Sequence, residues 1–175
     1  MSQRLPFFLL FISIAAFGQQ TMVVKNSRSY PATENWNFIC ENYALSGAAN
    51  VQIAKTEKGG ILRIAVQTTN PAFAISGMAY VFLTDNTIIT CVDKGIREVI
   101  GNQIVSYYWF SEVEMNKLKA TEIQSIHFNI KGNANGFSSQ LGNFTAINKK
   151  EYFATAFDKS KKSNDTTSEI KALYK

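Results

Sequence analysis

Between residues 51 and 67 the side chains alternate with a period of two. Val51, Ile53 and Lys55 take turns with Gln52 and Ala54, and after Glu57-Lys58-Gly59-Gly60 the alternation resumes as Leu62, Ile64 and Val66 against Arg63 and Gln67. A helix cannot satisfy that spacing, because a period of two places every second residue on one face only in an extended strand. Two such runs across a glycine-containing break predict an antiparallel β-hairpin with a buried face and a wet one. This unit commits the chain to a sheet.

The segments that follow extend the pattern. Ala79 to Thr84 meets Thr87 to Val92 across Asp85-Asn86, two residues that tolerate the positive φ of a tight hairpin turn. A two-residue turn pairs Leu83 with Ile88, Phe82 with Ile89 and Tyr80 with Cys91. Both faces are then apolar, which predicts a central pair covered on both sides. Gly95 and Gly101-Asn102 bracket a connecting stretch, and Gln103 to Phe110 is the most aromatic strand of the chain. Ser111 and Glu114 form a Ser-x-x-Glu capping box that starts a short helix carrying Val113, Met115 and Leu118. Glu122 to Ile130 reads as another strand, with Ile126, Phe128 and Ile130 on one side and Ser125, His127 and Asn129 on the other. Residues 131–143, rich in Gly, Asn and Ser, read as a loop or a loop with a ragged edge strand.

Upstream, Trp36, Phe38 and Cys40 share one face of a short strand, and residues 19–35 form a loose polar lead-in. Downstream, Lys149 to Asp158 has helical spacing, with Tyr152, Phe153, Ala156 and Phe157 on one side. Ser168 to Tyr174 offers a last helical turn or two. The predicted organisation is a leader over 1–18, the lead-in over 19–35, a β-rich domain over 36–147 and a basic helical C-terminal segment over 148–175. The fold class is mainly β: an antiparallel, sandwich-like domain with one short internal helix and a helical C-terminal segment.

The leader gives the compartment. Arg4 precedes an uncharged run from Leu5 to Phe17, and Ala16 and Gly18 stand two apart before Gln19. One cation, a short apolar stretch and a small-x-small site make a secretory signal peptide, cut between Gly18 and Gln19. The run is too short to span the ~30 Å core of a bilayer as a permanent helix, and no later segment is apolar enough to do so. The expected location is secreted or periplasmic. Removing residues 1–18 takes away Arg4 and no acid, so the net charge falls from +5 to +4. From Lys149 onward seven lysines are interleaved with four acids. That run reads as a solvated tail rather than as contact with an anionic surface, and no nucleic-acid partner is expected.

Cys40 and Cys91 are the only cysteines. In an oxidising compartment they form either a disulfide, worth roughly 4 kcal/mol for a loop of about fifty residues, or two separately buried thiols. Together with one histidine they do not make a zinc set. No catalytic constellation stands out. His127 has no acid on its own strand face, and no nucleophile elbow, phosphate-binding loop or dinucleotide fingerprint is present. The carboxylate pairs Glu112 with Glu114, and Glu122 with Asp85, are the alternatives for a hydrolase. No cofactor is expected. The remaining candidate surface is aromatic. Tyr107 and Trp109 share one face of their strand, and an exposed Tyr/Trp platform stacks on sugar rings, whereas a buried one is simply core.

Residues 78–130 resemble small exported proteins of Bacteroidetes-type bacteria. The resemblance runs through the hairpin Tyr80 to Thr90, the aromatic strand, Ser111 to Leu118 and Ile123 to Ile130. It implies an exported β-rich fold and carries no activity with it. The function expected is a non-catalytic exported protein that binds a glycan or a surface or protein partner. The alternatives are a hydrolase whose acids converge only in the fold and an accessory structural subunit.

Overall fold

A computed structural model describes residues 20–25, 29–41, 43, 46–133, 138–150 and 162–175. The leader, its Gly18/Gln19 cleavage site and the helical reading of Tyr152, Phe153, Ala156 and Phe157 lie outside the described residues. Twelve strands and two helices follow one another: β1 Gln20–Val23, β2 Ser29–Ala32, β3 Trp36–Ile39, β4 Ala48–Thr56, β5 Gly59–Gln67, β6 Ala74–Ile75, β7 Ala79–Leu83, β8 Ile88–Cys91, β9 Asp93–Ile100, β10 Gln103–Ser111, α1 Glu112–Ala120, β11 Ile123–Lys131, β12 Gly142–Ile147 and α2 Thr166–Ala172. The protein is mainly β and antiparallel. The strands form one sheet in the order β8-β7-β11-β12-β3-β4-β5-β10-β9, with β1, β2 and β6 attached at its sides. The sheet rolls until it is nearly closed, so the two packed faces expected of a sandwich are halves of one curled sheet.

The alternation read in the first hairpin sets its inside. Val51, Ile53, Leu62, Ile64 and Val66 are fully buried in the main core with Phe38, Tyr108, Ile126 and Phe128. The opposite face is not wet, contrary to the pattern's simplest reading. Ala54, Ile61, Ala65, Val105 and Tyr107 form a second apolar cluster under Met22, Val24 and Ala32. Those last three residues come from the segment expected to be a loose lead-in. It is instead a hairpin, with Val23 opposite Ser29 and Gln20 opposite Ala32, fixed to β4 at Ala54. Short side chains at positions 54 and 65 let this hairpin lie flat on the sheet.

Gly59 and Gly60 are strand residues, not turn residues. The turn is Glu57-Lys58, and Gly59 already pairs with Thr56 and with Ser111. The second hairpin is one residue out of the expected register: Phe82 faces Ile88 and Tyr80 faces Thr90. Its loop is Thr84-Asp85-Asn86, closed by Leu83 N–H donating to Thr87 O at 2.9 Å, with Asn86 at φ +66°. A type I turn followed by a left-handed residue takes three residues, and Asn tolerates that conformation. Asp85 Oδ1 accepts from Thr87 N–H at 2.9 Å and fixes it. The stretch expected as a connection is β9, paired to β10 through a tight turn at Gly101, φ +59°.

The capping box is present. Ser111 Oγ accepts from Glu114 N–H at 3.3 Å, and Ser111 N–H donates to Glu114 Oε2 at 2.7 Å. Met115 and Leu118 are buried, whereas Val113 points outward, 66% exposed. The last helix is part of the core rather than a tail. Ile170 and Leu173 are buried; Thr166 Oγ1 accepts from Ile123 N–H at 3.0 Å, and Glu169 accepts from the Trp36 indole at 2.9 Å. Cys40 and Cys91 are both buried and both free. They line the same core from β3's end and from β8, which β7, β11 and β12 separate within the sheet, so of the two alternatives the structure has the separately buried thiols and not the bridge.

Candidate functional site

On the convex side of β7, β8, β11 and β12, the cross-strand registers stack two rows of side chains. One row runs Thr90, Tyr80, His127, Thr145; the next begins Ile88, Phe82, Ser125. The Phe82 and His127 rings lie 4.2 Å apart at 34°. Tyr80 is 39% exposed, Met78 54% and Ile88 51%. The Tyr80 hydroxyl points along the strand to Met78 Sδ at 3.6 Å. Beside these rings runs a groove of about 270 Å³ lined by Met78, Tyr80, His127, Asn143 and Thr145 over the edges of Phe128 and Phe144. Partial burial alone holds the His127 imidazole below its usual range, so it is neutral at pH 7. Asn143 Oδ1 accepts from Asn129 Nδ2 at 2.7 Å at the groove's end. Among the described residues the lining contains no carboxylate. It offers rigid ring area, a neutral imidazole, an amide and a hydroxyl.

The residues singled out from sequence fall elsewhere. Tyr107 is buried, 1% exposed, in the outer cluster beneath β1. Its hydroxyl donates to Glu98, and burial with that carboxylate beside it pushes the phenol up to about 12. Trp109 is half-buried against the same cluster, with Lys94 Nζ 5.4 Å from its ring. The two do not form an open platform. Cys40 and Cys91 are inert thiols, raised to about 11 and about 12 chiefly by desolvation.

The carboxylate pairs have structural duties. Glu114 closes the capping box. Glu122 accepts from Thr166 N–H at 2.9 Å and from the hydroxyls of Thr166 and Thr167 at 2.7 and 3.1 Å. Asp85, fully exposed, is held below the usual carboxylate range first by the Thr87 N–H. Thr84 N–H reaches Glu122 O at 3.0 Å, so the backbones of the second pair do meet, but the acids serve different elements. Among the described residues no three His, Cys, Asp or Glu side chains gather around a metal position, and no helix is long and apolar enough to cross a membrane. A larger hollow of about 710 Å³ borders Ser29–Pro31 and Lys55–Lys58. Tyr30 there packs into the outer cluster and the Lys55 ammonium sits 4.4 Å over the Tyr174 ring, so its aromatic ring and one of its two lysines are already engaged.

No protein-family model, no curated protein and no solved structure matches the chain.

Proposed function

We propose that this is an exported, non-catalytic saccharide-binding protein whose contact surface is the Tyr80–Phe82–His127 face. The observation that carries the reading is the contiguity of those rings on the convex outer face of the sheet, beside a groove with Asn143 and Thr145 whose described lining is uncharged. A ring face covers the C–H surface of a sugar, and neighbouring amides and hydroxyls take its hydroxyl groups. Tyr and Phe lose little entropy on contact because few torsions need fixing. Strands hold the rings in register, so the surface is formed before a ligand arrives. Export rests on the pattern of residues 1–18. The hydrolase alternative draws no support from acids that cap helices and turns. A second reading, an accessory subunit docking through the β8 edge, rests on Ile88 and Val92, 51% and 61% exposed.

The test is a glycan array with protein recovered from culture fluid or periplasm, whose N-terminus should be Gln19. Tyr80→Ala and Phe82→Ala should each weaken binding about tenfold, roughly 1.4 kcal/mol, with small changes in melting temperature. Trp109→Ala should leave binding unchanged. Absence of any glycan signal, or equal binding by all three variants, ends the reading.

A further inference from the structure

We infer that the rolled sheet is closed by a side-chain seam between β9–β10 and the Ile75–Gly77 bend, and that this seam opens locally while the rest of the fold stays intact. The backbone ladder ends short of closure. Among the described strands β8 pairs only with β7, and β6 only with β11, so neither is bonded to β9 or β10. The gap is bridged by three side chains. Asp93 Oδ2 accepts from Gly77 N–H at 2.7 Å, and Asp93 Oδ1 accepts from Gly95 N–H at 2.7 Å. Arg97 pairs with Asp93. Its Nε donates to Ile75 O at 2.7 Å and its Nη2 to Ser76 Oγ at 3.4 Å. The Tyr108 hydroxyl donates to Gly77 O at 3.2 Å. Asp93 and Arg97 thus take the backbone groups of Ile75 and Gly77 that a neighbouring strand would otherwise take.

A ladder repeats its bonds every two residues and opens only when a whole strand leaves. A clasp of one ion pair and a few charge-assisted bonds opens when two side chains turn. The Arg97 and Asp93 side chains are 28% and 16% exposed, within reach of water that replaces their bonds. Regions with few buried contacts and solvent-reachable hydrogen bonds open below the global unfolding free energy. Ile75 and Tyr108 on the two sides of the seam are buried in the core, 1% and 0% exposed, but the backbone hinges beside them are unobstructed. Gly77 at φ +87° has only Lys131 Nζ, 4.0 Å away, near the position of a Cβ, and Gly95 at φ +73° only an Arg97 nitrogen at 3.6 Å. Both hinges of the clasp are glycines in open space. Met78 and Tyr80 follow the bend directly, so an open seam moves the first ring of the outer face. That last consequence rests on the proposed function; the seam itself does not.

Amide hydrogen exchange on the full mature chain, without ligand, tests it. Gly77 and Gly95 are the probes, because both N–H groups are held by Asp93. In the wild type they should exchange at least tenfold faster than Ile53 and Ile64 after correction for intrinsic rates. Arg97→Ala leaves both acceptor oxygens of Asp93 in place and should speed Gly77 and Gly95 tenfold or more while β4 and β5 stay as they are. Arg97→Lys, which can reach Asp93 or Ile75 but not both, should fall between. If Arg97→Ala fails to fold, the wild-type and Arg97→Lys rates decide. Gly77 exchanging in step with Ile64 in the wild type, or a uniform rise across all strands in a variant, overturns the inference. A protein that binds no saccharide but shows the local opening would sink the proposed function and leave the seam standing.

Discussion

A Cβ on Gly59 would sit 2.0 Å from the carbonyl oxygen of Phe110, and Gly59 holds φ +145°. Both facts come from one cause: β10 pairs edge to edge with the start of β5, and at this φ a Cβ would point straight at the paired strand. Gly60 is crowded too, with Met115 Sδ 2.3 Å and the backbone oxygen of Ala54 2.9 Å from the same position; the methionine side chain can move aside, the Ala54 carbonyl cannot. Gly101 gives the contrast, φ +59° with nothing within 4 Å of its Cβ position. Gly59→Ala should therefore cost roughly 3 kcal/mol or more, from overlap plus backbone strain, and Gly101→Ala only about 1–2 kcal/mol, from the left-handed conformation alone. Urea melts of the two variants separate the cases. Equal losses would mean that the close approach at Gly59 is not real. The two glycines are conspicuous in the sequence, but a turn and a positive-φ strand position beside a paired neighbour both call for glycine, and only the pairing with β10 distinguishes them.

At the scale of elements, the legible parts were those whose partner lies nearby in the chain. The β4–β5 alternation, the Ser111/Glu114 capping box and the apolar face of Ile126, Phe128 and Ile130 depend on local chemistry, and each is in place. What was not legible depends on distant cover. The outer face of β4–β5 is dry because Met22 and Val24 arrive from the N-terminal hairpin. Tyr107 is core for the same reason, one of the two readings its strand allows. Conversely, Tyr80 and Phe82 read as covered because the hairpin is apolar on both sides, yet among the described strands β8 is an edge strand and Tyr80 is 39% exposed. A four-residue strand whose outward positions are Ile88 and Thr90 was the available hint. Register added a second miss, since Thr84 joins Asp85 and Asn86 in the loop and moves every cross-strand partner by one. The basic C-terminus shows the same limit: Lys149, Lys150, Lys162, Lys171 and Lys175 are exposed while Ile170 is fully buried in the core. Ile170→Ala should lower the melting temperature by roughly 5–15 °C, the cost of a cavity in a domain of this size, whereas exposed Lys171→Ala should barely change it. Thermal melts by circular dichroism check this; equal melts would return α2 to the status of a tail.

Across the whole molecule, closure is what separates the two cysteines chemically. Both thiols face the same interior, and desolvation pushes them to about 11 and about 12, so almost no thiolate exists in the folded state at pH 8 and labelling must wait for an opening. Cys40 follows β3, whose neighbours β12 and β4 hold it on both sides, and its N–H donates to Gly47 O at 2.8 Å. Only unfolding of the sheet exposes it. Cys91 ends the edge strand β8 and stands two residues before Asp93, the centre of the seam. Local opening of the seam reaches Cys91 without disturbing β3. In unreduced, fully unfolded protein both thiols should react, adding two labels per chain; a chain that takes none would carry the disulfide that the folded structure lacks. In native protein, Cys91 should label at least tenfold faster than Cys40, and its rate should rise only weakly with urea, because a small opening exposes little surface. Cys40 should follow the steep urea dependence of global unfolding. Mass spectrometry of peptides around each cysteine, sampled over time at several urea concentrations, resolves the two rates. Matching slopes would show that the sheet opens as a single cooperative unit, with Asp93 and Arg97 no weaker than the backbone ladders they stand in for.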